Sequence, residues 1–178
     1  MNQLNSKTET LIHTTSVTWR TARIAVLTAL SAAGSLLKIP SPVGSLAFDS
    51  TPGFFAALLF GPAEGAVVSG LGHLATAAVS GFPLGALHVP IAFGMALAGA
   101  AIGLLNKLSR RWGFFPALAI GVTVNTVLVF PLVPFLAEDI SVGWIIAVSY
   151  TPFLLVAAAL NAVVAGFAYV AVRGKLKL

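Results

Sequence analysis

The chain has 178 residues, 58% of them hydrophobic and only 8% charged, with a formal net charge of +5. Soluble domains carry roughly 25% charged residues, so this composition excludes an ordinary soluble fold and points to an integral membrane protein, as does a mean hydropathy of +0.98. The absence of cysteine excludes disulfides, thiolate metal sites and cysteine nucleophiles.

Residues 1–18 are polar and lack an apolar core, which reads as a cytoplasmic tail followed by an uncleaved anchor rather than as a signal peptide. A helix needs about 20 apolar residues to cross the hydrocarbon core. The first predicted span covers about Trp19 to Leu37. A polar, Pro- and Gly-rich stretch containing Lys38 and Asp49 follows, and a short second span runs from Thr51 to Phe60. Irregular backbone is tolerated beside a bilayer only where protein or a water-filled cavity solvates it, and an acid there is a functional-site hypothesis. Gly61-Pro62 turns the chain into a third span, Ala63 to Ser80, which ends at Gly81-Phe82-Pro83. The fourth covers Leu87 to Leu105, and the fifth Phe114 to Leu136 with Pro131 and Pro134 near its end. The sixth, Val142 to Val172, contains Pro152 and leads into a basic cytoplasmic tail, 173–178. The expected fold is thus all-α and polytopic, a single six-helix transmembrane domain over 19–172.

The basic residues test the topology. With both termini inside, Lys7, Arg20, Arg23, Lys107, Arg110, Arg111, Arg173, Lys175 and Lys177 all fall on the cytoplasmic side and Lys38 alone falls outside. Merging the second and third spans would put the basic loop KLSRR outside. Basic residues that flank apolar spans do not form the stripe of a nucleic-acid binder, so no nucleic-acid partner is expected.

On this topology Asp49, His73, His88, Asn125 and Tyr150 belong to the outer half, with Phe48, Phe82, Met95, Phe130 and Trp144 as neighbours. That composition suits a pocket that stacks an aromatic ligand and fixes it with a few hydrogen bonds. Each residue also has a plainer reading. Asp49 can cap the second span, since Ser50, Thr51 and Pro52 follow it. His73 can be a neutral histidine bonded to a neighbouring helix, and His88 an interfacial anchor. Asn125 and Asn161 can be interhelical hydrogen-bond glue. Trp19, Trp112 and Trp144 suit an aromatic belt, and Glu64 suits a helix N-terminus. Ala25, Ala29 and Ala33 recur every four residues and share one face of the first span. Such a face suits close helix packing, either within the chain or against a partner.

Catalytic signatures are missing. There is no G-x-x-x-x-G-K-[ST], because Tyr169 stands where the nearest candidate, Gly174-Lys175, needs its first glycine. There is no H-E-x-x-H and no G-x-S-x-G. No inverted repeat of the kind many transporters carry is visible. No cofactor and no enzyme activity are expected; a binding protein that borrows energy from a partner fits better.

The order of these features resembles the substrate-binding S components of energy-coupling factor (ECF) vitamin transporters, over about residues 20–172. The resemblance rests on RIAVLTALSAAG, then SPVGSLAFDSTPGFFAALLFGP, then AEGAVVSGLGHLATAAVSG, followed by a basic loop and further helices. It implies a six-helix plasma-membrane subunit that binds a vitamin near the outer face, under the loop between the first two helices. It implies docking of the first helix, through Ala25, Ala29 and Ala33, to a transmembrane coupling protein driven by two ATPases. It also implies that Ser45 to Asp49, with Phe48, cover the ligand. The run FDSTPGFFAALLFGP looks most like the S components for α-ribazole, a cobalamin precursor. Riboflavin, pantothenate and pyrimidine-type vitamins stay open as ligands. A small membrane-embedded enzyme using Glu64, His73 or Asp49, or a structural membrane subunit, are the other classes.

Overall fold

The computed structural model describes residues 2–38, 47–108 and 114–175. Among the described residues the chain forms α1 (Asn2–Gly34), α2 (Thr51–Phe60), α3 (Pro62–Val79), α4 (His88–Leu108), α5 (Phe115–Leu136) and α6 (Ile140–Arg173), with a 3-10 turn at Gly85–Leu87 before α4. The all-α fold expected from the sequence is what these residues adopt. Two helical stretches, Gly85–Leu108 and Ile140–Arg173, are each long and apolar enough to cross a membrane.

The polar segment before Trp19 is helical and continuous with the first span, because no glycine or proline interrupts residues 2–33. Gly34 ends α1, and the backbone of Phe48 lies against it, where any side chain would collide. Beyond α1, Lys38 and Ala47 form a bridge, and the Phe48 N–H donates to the Leu37 carbonyl at 3.3 Å.

Helix α2 is the buried centre of the bundle. It packs on α1, α3, α4 and α6, and Pro52, Gly53, Phe54, Ala56, Ala57 and Leu58 are all buried. Ten residues are too few to be stable alone, so tertiary contacts must hold both ends. At the C-terminal end, Pro62 has no N–H to give the Leu58 carbonyl. The side-chain amide of Asn106 on α4 supplies that bond instead, at 2.9 Å. Gly61, at φ 101°, makes the turn into α3 in a conformation that favours glycine.

Small residues set the spacing between helices. Gly65 and Gly99 bring α3 and α4 into backbone contact, and Gly53 lies against Ser69 of α3. The outer surface is the reverse, with Val26, Leu71, Phe93, Leu104, Val148 and Phe167 among its exposed large apolar side chains. A small-residue interior under a bulky apolar coat is the pattern of helices packed in lipid, where close van der Waals contact replaces the hydrophobic drive between helices. The main apolar cluster joins Phe54 and Leu58 to Ile102, Leu118 and Ala165. It fills the end of the bundle where α2 stops and leaves the opposite end open for a cavity.

Candidate functional site

Where α3 ends and α4 begins, a cavity of about 90 Å³ lies between the segment preceding α2, α3, α4, α5 and α6. Asp49, His73, His88, Asn125 and Tyr150 all line it. Phe48 does not, and Ser45 lies outside the described residues. The floor and walls are largely aliphatic, with Ile91, Met95, Ile146 and Leu154 prominent. The aromatic box expected from the sequence is therefore reduced to the two imidazoles and Tyr150. Trp144 lies elsewhere, 39% exposed, and the Phe130 side chain lies outside the described residues. Phe82 flanks the site: its φ of 51° is uncommon for a bulky residue, and its ring meets His88 edge-on at 5.8 Å.

The two histidines form a defined pair. His73 Nε2 and His88 Nδ1 are 3.1 Å apart, and the Leu84 backbone N–H donates to His88 Nε2 at 3.3 Å. His88 Nε2 is thus an acceptor, so the neutral ring carries its proton on Nδ1 and donates it to His73 Nε2. His73 in turn keeps its proton on Nδ1, the nitrogen left to act as a donor. A chain of three groups, begun by a backbone amide, fixes both tautomers.

Asp49 is the acceptor of the site. Taken whole, the residue is half-buried, but its carboxyl group is enclosed, and burial pushes it up to about 6 from the ordinary 3.8. Thr76, Ser50 and the backbone N–H groups of Asp49 and Ser50 oppose that shift without cancelling it; the Ser50 hydroxyl donates at 3.4 Å. The buried Thr76 hydroxyl, though near the carboxyl, has no partner of good hydrogen-bond geometry. An enclosed carboxyl whose side-chain donors are long or poorly aligned can still accept from a ligand.

Capping of α2 falls to a different residue than Asp49. Ser50 occupies the N-cap with no side-chain cap bond. The first N–H of the helix, on Thr51, instead reaches Asn161 Oδ1 of α6 at 2.7 Å, and the Thr51 hydroxyl reaches the same oxygen at 2.8 Å. Asn161 Nδ2 donates to the Ala47 carbonyl at 2.9 Å. The asparagine read as interhelical glue thus holds both the start of α2 and the strand of chain that carries Asp49.

Thr76, Ser80 and Thr151 also line the cavity and were not among the residues singled out from the sequence. Thr76 and Ser80 follow His73 by three and seven residues, the spacing of one helix face, and that spacing was the signal available. The lining holds one carboxylate and, among the described residues, no lysine or arginine. Lys38 lies at the rim, its ammonium 3.3 Å from the Ser80 hydroxyl.

Among the described residues, helix α1 contributes nothing to the cavity wall. Ser31 of α1 and Ser35 just past its end are buried, while Ala25, Ala29 and Ala33 are exposed. The alanine face is therefore not consumed by packing inside the chain. At the opposite end of the bundle, Glu64 lies in the first turn of α3, as its position suggested. It is buried and held by both Nε (2.6 Å) and Nη2 of Arg23, with Arg20 Nε at 3.4 Å. This junction of α1 and α3 was not read from the sequence.

No curated protein and no solved structure matches the chain. A family model does: that of the ECF transporter substrate-specific component matches residues 20–172. Members of that family are plasma-membrane transporter subunits, not enzymes, and work with a membrane coupling protein and ATPases. The match spans α2 to α5 whole and nearly all of the apolar length of α1 and α6, and the chain belongs to the ECF transporter substrate-specific component family.

Proposed function

We propose that this subunit captures a small uncharged aromatic nucleoside, with α-ribazole the first candidate, in the cavity between Asp49, His73, Asn125 and Tyr150. The observation that carries the reading is the convergence of these groups, from four separate segments, on one enclosed space. Their chemistry is complementary to such a ligand. His73 offers a ring N–H to an unsubstituted ring nitrogen, Asp49 accepts from ribose hydroxyls, and Asn125 can do both. A carboxylate with no cation in the wall among the described residues disfavours an anionic ligand such as pantothenate. Pockets for drug-sized ligands are roughly 300–1,000 Å³, so a cavity of about 90 Å³ must widen on binding. Six spans with both termini inside put this cavity at the outer face and the Arg23–Glu64 junction at the inner one, in keeping with the distribution of basic residues.

The test is thermal unfolding of the purified chain in detergent against α-ribazole, riboflavin, thiamine and pantothenate. α-Ribazole is expected to raise the midpoint in proportion to the logarithm of its concentration above Kd, by the equivalent of about 2.7 kcal/mol at a hundredfold excess over Kd. His73→Ala should weaken binding roughly tenfold, the worth of one hydrogen bond of about 1.4 kcal/mol. Stabilisation by pantothenate alone, or by none of the four, would overturn the proposal.

The exposed alanine face of α1 is the proposed contact with the coupling protein. Its separation from the cavity wall yields a sharp expectation. Ala29→Trp should reduce co-purification of the coupling protein at least tenfold while leaving the ligand Kd within about twofold. Loss of both together would refute the assignment of that face.

A further inference from the structure

At the end of the bundle away from the cavity, a second concavity of about 460 Å³ opens between α1, the α2–α3 turn and the end of α4. Arg20, Arg23 and Lys107 line it with Glu64, and Val17 and Phe60 form part of its apolar wall. Three cations meet one carboxylate, so the groove carries a net charge of about +2 from these side chains.

The cations are not equivalent. Arg23 is spent: its fork grips Glu64 and its guanidinium lies over the Phe60 ring, 4.4 Å from the centroid. Arg20 makes one contact to Glu64, at 3.4 Å, and its side chain is 51% exposed. Lys107 has no carboxylate partner among the described residues, and its stem lies against Gly61. Two cations with unused donors therefore border one groove. The N-terminus of α3, whose first N–H groups are unbonded within the helix, adds partial positive charge beside them.

We propose that this groove binds the phosphate of an anionic phospholipid, with Arg20 and Lys107 as its ligands and the Val17–Phe60 wall beside the start of the acyl chains. The apolar wall decides for a lipid over a free anion. A small anion would use the cations and leave that wall bare, whereas a phospholipid satisfies both. Arg23 and Glu64 act as the fixed floor that holds Arg20 in place. Basic pockets between membrane helices on the cytoplasmic side are suited to anionic headgroups.

The experiment uses the full chain in detergent micelles doped with phosphatidylglycerol or with phosphatidylcholine, read by thermal unfolding. Phosphatidylglycerol should raise the midpoint by about 4 °C more than phosphatidylcholine. Arg20→Gln combined with Lys107→Gln should lose most of that difference. Arg173→Gln combined with Lys175→Gln, which removes the same charge at the other basic end of the chain, should keep it. Inorganic phosphate at millimolar levels should give no comparable shift. Equal losses in the two double variants would mean general surface charge and overturn the site. Full stabilisation by inorganic phosphate would overturn the lipid. Should the groove pair fail to fold, Lys107→Gln alone takes its place, since its side chain supports no ion pair here. An unchanged lipid difference in that variant also refutes the proposal.

Discussion

Gly99→Leu is expected to remove the folded protein. In the α3–α4 pair, a Cβ on Gly99 would meet the Gly65 carbonyl carbon at 2.6 Å and Ser69 Oγ at 2.6 Å. A Cβ on Gly65 would meet Ala57 Cα at 2.6 Å and the Gly99 carbonyl oxygen at 2.9 Å. Most of these atoms are backbone, so no rotamer change relieves the clash and the helices must separate. Separation is costly in a bilayer, because association rests on close packing with no hydrophobic compensation. Overpacking of this kind costs about 3 kcal/mol or more, a large share of a total stability of roughly 5–15 kcal/mol. It would also move α4, and with it His88 and Met95 of the cavity wall. The matching control is Gly174→Leu, where an added Cβ meets nothing within 4 Å. Size-exclusion profiles and unfolding midpoints separate the two. A monodisperse Gly99→Leu protein melting within a few degrees of wild type would show that the α3–α4 contact is not what sets the fold.

The helices were legible because punctuation marks them. Gly61-Pro62 and Gly81-Phe82-Pro83 put the ends of α2 and α3 within a residue of their observed positions. The apolar run of the first span begins at Trp19, while α1 itself begins at Asn2, because loss of apolar character bounds a span and only a glycine or proline would have broken the helix. Sorting polar residues by depth puts Asp49, His73, His88, Asn125 and Tyr150 in the same outer half of the predicted bundle, and the fold gives them one cavity. What depth cannot reveal is partnership across the sequence. Arg23 and Glu64 lie 41 residues apart, and Thr51 and Asn161 lie 110 apart. No local period links such pairs. They follow from which helices become neighbours, and that is decided by where glycines let backbones meet. The same reason hid the true cap of α2. Asp49 stood at a plausible capping position by local rules, but α6 passes close enough for Asn161 to take the bond.

Asn161→Leu should lower stability by about 3 kcal/mol and weaken ligand binding as well, whereas Asn106→Leu should lower stability alone. Both asparagines hold α2, one at each end. Leucine at 161 keeps the volume but leaves the Thr51 N–H and the Ala47 carbonyl without the bonds they make at 2.7 and 2.9 Å. Each unsatisfied buried backbone group costs roughly 1–3 kcal/mol. Asn106→Leu strands one group, the Leu58 carbonyl, whose helical donor Pro62 cannot replace the loss. The functional consequences diverge because the two ends of α2 face different places. Asn161 lines the cavity and ties down the segment from Ala47 to Thr51, on which Asp49 rides. Releasing it frees the carboxyl from its position and relaxes its enclosure. Asn106 lies at the opposite end, beside the apolar cluster around Leu58. Ligand affinity should therefore drop at least tenfold in Asn161→Leu and stay within about twofold in Asn106→Leu, measured below both unfolding midpoints. Asn161→Asp separates the two bonds further: it keeps the acceptor for Thr51 and deletes the donor to Ala47. If Asn161→Leu melted early yet bound ligand as wild type does, the segment carrying Asp49 would be held by contacts other than this side chain.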